Sequence, residues 1–296
     1  MSARSEIKYF FYFTSISIVG FLVFYLYPIL RTIYLSFTNR QITSPNYTWT
    51  GFENYRHAFF DDAVLHHSLI QTFKFAVVVG PVQIIMALLI ALLLNNKLKG
   101  MGIFRTVFFM PFIIPTFAVA YVFQWFFQPT NGMVNGILGY FGINGPGWHT
   151  HSDTALITLM ITSLWGFGVT MIIFLAALQG VSKDLYEVAE IDGASRYRKF
   201  WSVTFPAISP VFLFNSILTT IGALKSFDLA FMMGKGEGYP ANSTLLYSVY
   251  LFGQAFQPPY KLGYASAIAL LFFLVVLVLT ALNFLLGKFY VKTESK

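Results

Sequence analysis

The chain has 296 residues, of which 56% are hydrophobic, 19% aromatic and only 10% charged, and its mean hydropathy is +0.65. A soluble domain carries about 25% charged residues, so the composition excludes an ordinary soluble protein and indicates a membrane protein. The net charge of +7 forms no basic stripe, which argues against nucleic-acid binding, and the absence of Cys excludes disulfides and thiolate metal sites.

Six runs of the sequence are nearly free of charge and long enough to cross about 30 Å of hydrocarbon as helices. In chain order they are residues 9–30, 75–94, 106–127, 155–178, 211–233 and 265–287. The first run carries Pro28 near its end, is followed by Arg31 and has no small-residue cleavage site, so we treat it as a retained span. We therefore predict an all-α membrane protein with six transmembrane helices.

Lys and Arg residues near the span ends predict the orientation, because short cytoplasmic loops are enriched in them. Twelve lie on one side and five on the other, with Lys74 and Lys225, at or inside spans, left out of the count. The twelve are Arg4, Lys8, Lys97, Lys99, Arg105, Lys183, Arg196, Arg198, Lys199, Lys288, Lys292 and Lys296, and the five are Arg31, Arg40, Arg56, Lys235 and Lys261. Both termini are therefore predicted to be cytoplasmic.

The same pattern predicts the domain organisation. Residues 1–66 form an N-terminal transmembrane helix and an outer segment, and residues 67–287 form a core with five transmembrane helices. The core contains a cytoplasmic loop at residues 180–210, and residues 288–296 form a cytoplasmic tail.

Two prolines, Pro111 and Pro115, lie in the third predicted span. Proline removes a helical hydrogen bond and frees a carbonyl, which must find a partner in a neighbouring helix or in water. We therefore expect a kinked helix at this point. Kinked helices suit a bundle around a pathway, although proline is also common in transmembrane helices in general.

His149, His151 and Asp153 stand at alternate positions in a Gly-rich outer loop before the fourth span. On a strand they would share one face and could in principle hold a metal ion. Fixed ligand geometry is not expected in a segment so rich in Gly, so we interpret them as a polar loop end and predict no metal site.

A polar island at residues 183–199 holds four acidic and four basic residues in an otherwise apolar chain. Ser182 is a good N-cap for a helix, and acidic residues in the first turn favour the positive end of that helix. Gly193 suits the left-handed residue that ends a helix, so we predict a short helix that ends near Asp192. Three apolar positions follow the i, i+3, i+4 spacing of one helix face: Leu185, Val188 and Ala189.

A second short helix is predicted after Gly193, before Pro206 and Pro210 mark the entrance to the fifth span. It places Tyr197, Phe200, Trp201 and Thr204 on one side. Two amphipathic helices joined at a glycine form a rigid knob (residues 183–204) on the cytoplasmic face. The knob either lies at the lipid interface, with Arg196, Arg198 and Lys199 on anionic headgroups, or docks on a soluble partner.

Eight residues of this region reproduce the pattern E-x-A-x-x-D-G-A-x5-F-x5-P-x3-P: Glu187, Ala189, Asp192, Gly193, Ala194, Phe200, Pro206 and Pro210. The pattern resembles the EAA loop of the permease subunits of binding-protein-dependent ABC importers. Val188 replaces the usual Ala, and Val203 and Phe205 replace the usual Ile and Leu, which are mild apolar changes. The segments GFENYRHAFFDD, ALLIALLLNN and FRTVFFMPFIIPTFAVAYVFQWFFQPTNGMVN are similar to the carbohydrate-uptake branch of that family, the maltose, glycerol-phosphate and multiple-sugar permeases.

This resemblance implies the type I importer fold with six helices, in the inner membrane of a bacterial or archaeal cell. It implies a second permease subunit, usually a related but different chain, two ATPase subunits that bind ATP and Mg²⁺, and a substrate-binding protein outside. The loop then corresponds to the coupling helix, held in a cleft of the ATPase subunit. The residues that the resemblance places in this contact are Glu187, Ala189, Asp192, Gly193 and Ala194.

The chain itself shows no ATP site, because its two Gly-Lys pairs lack the spacing and the following Ser or Thr of a phosphate-binding loop. We therefore predict a non-catalytic subunit without a cofactor of its own. Glu187 is expected to meet a charged or hydrogen-bonding partner across the interface. The alternative is that Glu187 only stabilises the N-terminus of its own helix.

Lys225 and Asp228 lie three residues apart in the fifth predicted span. Charges this deep in a span are rare and usually face the bundle interior or a cavity, so we predict a pair beside the translocation path. The alternative is that Lys225 snorkels to the outer interface. The resemblance adds Gly222 and Ser226 as substrate-pathway candidates, with Trp165 and Thr170 in the fourth span as weaker ones.

Two other functions stay open at this point. A self-sufficient secondary transporter of a small polar solute is expected to show internal repeats and broken helices near the midplane, and the sequence contains no convincing repeat. A membrane enzyme needs clustered His, Asp or Glu inside the bundle, where the spans offer only Lys225 and Asp228. The leading hypothesis is a permease subunit of an ATP-driven importer for a sugar, oligosaccharide or sugar phosphate.

Overall fold

A computed structural model describes residues 3–96 and 99–291, and it confirms the predicted all-α class. The α-helices are, in chain order, α1 (Ala3–Phe21), α2 (Tyr27–Ser36), α3 (Glu53–Arg56), α4 (Ala63–Leu94), α5 (Met101–Ile113), α6 (Thr116–Phe126), α7 (Met133–Tyr140), α8 (Ser152–Ser163), α9 (Gly168–Gln179), α10 (Lys183–Ile191), α11 (Arg196–Lys199), α12 (Phe205–Leu224), α13 (Asp228–Met233), α14 (Tyr247–Phe256) and α15 (Leu262–Gly287). Shorter turns are π-helical at Leu22–Leu26, His57–Asp61 and Phe200–Thr204, and 3-10 helical at Trp148–Thr150 and Leu164–Gly166. Of the basic residues used to predict the orientation, Lys97, Lys292 and Lys296 lie outside the described residues.

Among the described residues, four helical segments are long and apolar enough to cross a membrane, and there are up to six if each of two bent helix pairs counts as one span. The four are Tyr12–Ser36, Ala63–Leu94, Arg196–Met233, which contains a short interruption between Leu224 and Asp228, and Leu262–Gly287. The second begins well before residue 75, where its apolar run starts. The residues before it are too polar to be counted in an apolar run, but they include no Gly or Pro. The helix therefore begins earlier and includes them.

The third predicted span is bent by 97° between α5 and α6. The break lies at Ile114, which is extended (ψ 128°) and directly precedes Pro115. A proline disfavours helical geometry in the residue before it, so the chain turns here, while Pro111 stays inside α5. The expected kink is therefore a full break. The fourth span bends by 43° at Phe167, just before α9.

The chain packs into two compact units, and the first consists of Met1–Ala63 with Leu251–Leu274. In this unit an isolated antiparallel bridge folds back the segment that follows α2. The N–H of Gly263, at the start of α15, donates to the carbonyl of Arg40 (2.8 Å). A Cβ atom on Gly263 would lie 2.0 Å from the carbonyl oxygen of Thr38, so only glycine permits this close approach.

The second unit consists of Val64–Tyr250 with Val275–Lys296. Its core forms where α4, α9 and α12 pack together. The buried side chains of this core are Ile84, Ala87, Leu88, Ala91, Leu94, Phe167, Met171, Phe174, Leu175, Leu178 and Ile208. Both units join segments that are distant in sequence.

In the second unit, Asn283 of α15 is hydrogen-bonded to α12. Its Oδ1 accepts from the hydroxyl of Ser216 (3.0 Å), and its Nδ2 donates to the hydroxyl of Thr220 (3.0 Å) and to the carbonyl of Ser216 (3.3 Å). A side-chain amide in hydrocarbon has no water to bind, so it takes its partners from the neighbouring helix. These bonds set the register of α15 against the fifth span.

Replacing Asn283 with leucine is expected to destabilise the purified protein by about 1–2 kcal/mol, since each interhelical bond in a membrane contributes about 0.6 kcal/mol. Thr280→Val is the matched control, because the Thr280 hydroxyl oxygen is buried and has no hydrogen-bond partner within the described residues. Thermal unfolding in detergent measures both variants. Equal unfolding midpoints for the wild type and Asn283→Leu would contradict the assigned role.

Candidate functional site

The predicted first helix of the polar island is present as α10, with Ser182 as its N-cap. The Ser182 hydroxyl accepts a hydrogen bond from the N–H of Asp184 (3.3 Å). The helix ends at Ile191 with Asp192 as its C-cap, which confirms the predicted end. An N-capping side chain satisfies one of the free N–H groups in the first turn, so local chemistry sets the start of this helix.

Gly193 ends α10 in the left-handed conformation, with a φ of +71°. Its N–H donates to the carbonyl of Glu190 (3.0 Å), and the N–H of Ala194 donates to the carbonyl of Ala189 (2.9 Å). These two bonds form a Schellman motif, which satisfies carbonyls left free at a helix C-terminus. Residues with a Cβ atom rarely adopt this φ, so the turn depends on glycine, as the sequence predicts.

The second short helix is not a separate element, which corrects the prediction. It begins after the N-cap Ser195 as α11 and runs through the π-helical turn Phe200–Thr204 into α12. Pro206 has no N–H, and its ring would collide with the carbonyl four residues earlier, that of Ser202 in the π-helical turn. The wider turn accommodates the proline within one helix, so the knob is joined directly to the fifth span.

Two polar contacts hold α10 against this continuous helix. The hydroxyls of Tyr186 and Thr204 are hydrogen-bonded at 2.9 Å, and the ammonium group of Lys199 donates to the carboxylate of Glu190 at 2.6 Å. The hydrogen bond from Lys199, together with its positive charge, lowers the pKa of Glu190 below the ordinary value. The contact is therefore fully formed at neutral pH and is lost only as the pH falls through that lowered pKa.

The knob presents an apolar surface that the described residues of the chain do not cover. Its exposed side chains are Leu185, Val188, Ile191, Tyr197 and Trp201. Ile191 is 86% exposed and Tyr197 is 75% exposed. A cluster of large apolar residues left this open marks a contact with a protein or with lipid.

The five predicted coupling residues differ in their surroundings. Glu187, Asp192 and Gly193 are exposed, and Ala194 is half-buried. Within residues 3–96 and 99–291, no hydrogen bond or ion pair engages the Glu187 side chain. Ala189 is only 8% exposed, so its small side chain packs within its own chain.

A cavity of about 430 Å³ lies in the second unit between α4, α5, α9 and α12. It is lined by Phe75, Val79, Gln83, Phe112, Ser163, Gly166, Val169, Thr170, Ile173, Asn215, Leu218, Thr219, Gly222, Ala223 and Ser226. A second cavity of about 270 Å³ lies at the break between α5 and α6 and contains Trp165. The two cavities share four lining residues, Phe112, Ser163, Gly166 and Ser226, so they adjoin one another.

Four of the six pathway candidates line these cavities: Thr170, Gly222 and Ser226 the first, and Trp165 and Ser226 the second. Lys225 and Asp228 line neither, and both are exposed.

The predicted pair of Lys225 and Asp228 is wrong. The helix ends at Leu224, and α13 begins only at Asp228, so the two residues do not share one helix face. They are not among the ion pairs formed by the described residues. The prediction failed because it treated residues 211–233 as one uninterrupted helix.

Four polar residues that line the larger cavity were not predicted: Gln83, Ser163, Asn215 and Thr219. Each is a single neutral side chain in an apolar run. The sequence alone therefore does not indicate that it faces a cavity, because this depends on how its helix packs. Among the described residues, His, Asp and Glu form no group of three or more that could hold a metal ion.

Comparison with known proteins assigns the family. Residues 83–291 match the family model described as "Binding-protein-dependent transport system inner membrane component". The chain is 38% identical to the probable ABC transporter permease protein YesP of Bacillus subtilis (strain 168), over 96% of this chain and 92% of the relative. It is 35% identical to the lactose transport system permease protein LacF of Rhizobium radiobacter, over 100% of this chain and 99% of the relative.

The fold is similar to that in the crystal structure of a bacterial ABC transporter involved in the import of the acidic polysaccharide alginate. The TM-score is 0.82 at 21% identity, and the match covers 97% of this chain and 99% of that chain. The likeness confirms the predicted importer permease fold. The chain therefore belongs to the family of inner membrane permease components of binding-protein-dependent ABC transport systems, as a multi-pass, non-catalytic subunit that works with a substrate-binding protein.

Proposed function

We propose that the chain forms half of the translocation pathway for a sugar, oligosaccharide or sugar phosphate, and that it receives movement from a separate ATPase through residues 180–210. The carbohydrate substrate is supported by the similarity to the lactose permease subunit over the full length of this chain. A second permease subunit, different from but related to this chain, supplies the other half. Two ATPase subunits bind ATP and Mg²⁺, and the substrate-binding protein delivers the cargo.

One feature supports the coupling role most directly: the rigid knob is continuous with the fifth span. The exposed surface of the knob is apolar. The turn at Gly193, the ion pair between Lys199 and Glu190 and the hydroxyl pair between Tyr186 and Thr204 leave α10 little freedom to move alone. A partner that binds the exposed apolar surface around Ile191 and moves α10 therefore moves α11 and α12 as well. Such rigid-body motion is the ordinary means of alternating access.

The cavity is the proposed place of passage within this half. α12, which is joined to the knob, contributes four of its lining polar or small residues: Asn215, Thr219, Gly222 and Ala223. Movement of the knob therefore changes the shape of the cavity directly. Thr170, Ser226 and Trp165 complete the proposed contacts with substrate.

One observation supports the alternative of a self-sufficient secondary transporter, because such proteins use broken helices and the described residues include two bent helix pairs. A break at a proline is also the local expectation for the residue before it. The match to a binding-protein-dependent family over residues 83–291 favours the ABC permease.

Cross-linking tests the coupling role, and the absence of cysteine makes each introduced thiol unique in this chain. Val188→Cys and Ile191→Cys, in the assembled and transporting complex, are expected to link to the ATP-hydrolysing subunit through a thiol-to-amine reagent. Tyr140→Cys is the control, because Tyr140 is even more exposed but lies in the predicted outer loop. If neither knob position reaches that subunit while uptake proceeds, the coupling role is wrong.

A further inference from the structure

The linings of the two adjoining cavities are uncharged. None of the described residues that line them is Lys, Arg, His, Asp or Glu. The polar groups in the larger cavity are two amides and four hydroxyls: Gln83, Asn215, Ser163, Thr170, Thr219 and Ser226. Lys225 and Asp228, which were predicted to lie beside the translocation path, line neither cavity.

Asn215 is the most informative of these residues. It is 1% exposed, and its Nδ2 is buried without a hydrogen-bond partner in the described part of the chain. Buried polar groups are nearly always paired, so each exception needs an explanation. A ligand hydroxyl that accepts from Nδ2 supplies the missing partner, since Asn215 lines the cavity.

The hydroxyls of the cavity complement the amides. The Ser163 hydroxyl donates its proton to the carbonyl of Leu159 (2.8 Å), and the Thr219 hydroxyl donates to the carbonyl of Asn215 (2.8 Å). Each oxygen therefore meets a ligand as an acceptor, whereas the amide nitrogens of Asn215 and Gln83 meet it as donors. A sugar hydroxyl both donates and accepts, so it suits this mixture.

An anionic ligand does not suit the same surface. Burial of a carboxylate or phosphate away from water is costly unless a cation or several charge-assisted hydrogen bonds compensate for it. The lining provides no Lys or Arg for this purpose among the described residues. Neutral amides and hydroxyls bind an uncharged polyol without such a cost.

We propose that the cargo that passes through this cavity is an uncharged saccharide, and that the cavity discriminates against uronates and sugar phosphates. The proposal rests on the proposed role of the cavity as the pathway. It narrows that role, because the pathway itself was assigned to sugars and sugar phosphates alike. The charge of the lining, and not the size of the cavity, makes the distinction.

Ligand binding to the purified, nucleotide-free complex tests the proposal. The probes are maltose and lactose, the uronic acid counterpart of each, in which a carboxylate replaces one hydroxymethyl group, and glycerol phosphate. Trp165 lines the adjoining cavity and reports binding by its fluorescence, and the signal lost in Trp165→Phe identifies its contribution. A neutral probe is expected to bind at least about tenfold more tightly than its uronate at neutral pH.

Two variants link the response to the cavity. Asn215→Leu removes the unpaired donor, and Thr170→Val replaces a half-buried hydroxyl by a methyl group of the same shape. Both are expected to weaken the binding of the neutral probe by roughly threefold to tenfold, which corresponds to the loss of one hydrogen bond. Thr170→Val is expected to change the thermal stability little.

The outcomes separate the two proposals. If a uronate or glycerol phosphate binds as tightly as the neutral probes and Thr170→Val weakens it, the cavity is the pathway but its charge does not select the cargo. If a probe is taken up by the complex but does not change the Trp165 signal, the cavity is not the pathway, and both the proposed place of passage and the proposed selection by charge are wrong.

Discussion

Replacing Gly193 with valine is expected to reduce substrate uptake by at least about tenfold, without preventing insertion of the chain or assembly of the complex. Gly193 has a φ of +71°. A residue with a Cβ atom pays about 1–2 kcal/mol for this conformation, and a β-branched residue pays more. Relief of that strain opens the Schellman turn that orients α10 against α11. Uptake into vesicles, measured with the amount of assembled complex, checks the result.

Two companion variants separate the turn from a general effect of the valine side chain. Gly180→Val lies in the same loop, at an ordinary helical φ of −80°, and is expected to retain most of the uptake. Gly193→Asn is expected to lie between the wild type and Gly193→Val, because asparagine tolerates the left-handed region better than most residues. Wild-type uptake by Gly193→Val would show that the orientation of the knob does not matter for transport.

Replacing Gly263 with alanine is expected to destabilise the first unit severely. The new Cβ atom would lie 2.0 Å from the carbonyl oxygen of Thr38 and 3.0 Å from the backbone nitrogen of Arg40. These are backbone atoms, so no side-chain rotation relieves the overlap. Overpacking of this kind costs about 1–3 kcal/mol or more. The hydrogen bond from the Gly263 N–H to the carbonyl of Arg40 is expected to break as the segments separate.

The yield of monodisperse protein in detergent and its thermal unfolding midpoint measure this effect. Gly253→Ala is the matched control in the same unit, because its Cβ atom would meet only the flexible end of the Gln257 side chain at 3.4 Å. A midpoint for Gly263→Ala within error of the control would mean that the contact between Gly263 and Thr38 is not maintained in the protein.

The ends of α10 could be predicted because short-range chemistry determines them. Ser182 caps the first turn with its own hydroxyl, and Gly193 adopts a φ that other residues avoid. A kink near Pro111 and Pro115 could be predicted for the same reason, and the structure has a break directly before Pro115. Its angle of 97° could not, because the packing of α5 and α6 against other helices determines how far the chain turns.

The break after Leu224 and the lining of the cavity were beyond prediction. Residues 225–227, Lys-Ser-Phe, contain neither Gly nor Pro, so nothing local marks the end of α12. Gln83 and Asn215 lie far apart in sequence and line the same cavity only because α4 and α12 come together in the fold. Which neutral side chains face a cavity depends on that packing, and hydropathy contains no information about it.

The π-helical turn Phe200–Thr204 has a further consequence for comparisons between related chains. Such a turn contains one residue more than the α-helical turn it replaces. Deleting that residue would rotate α10 and α11 by about 100° around the axis of α12 and shift them by about 1.5 Å along it. A one-residue deletion just before Pro206 in a related sequence would therefore indicate that the partner subunit binds the knob from a different direction. This would hold even where the sequence motif is identical.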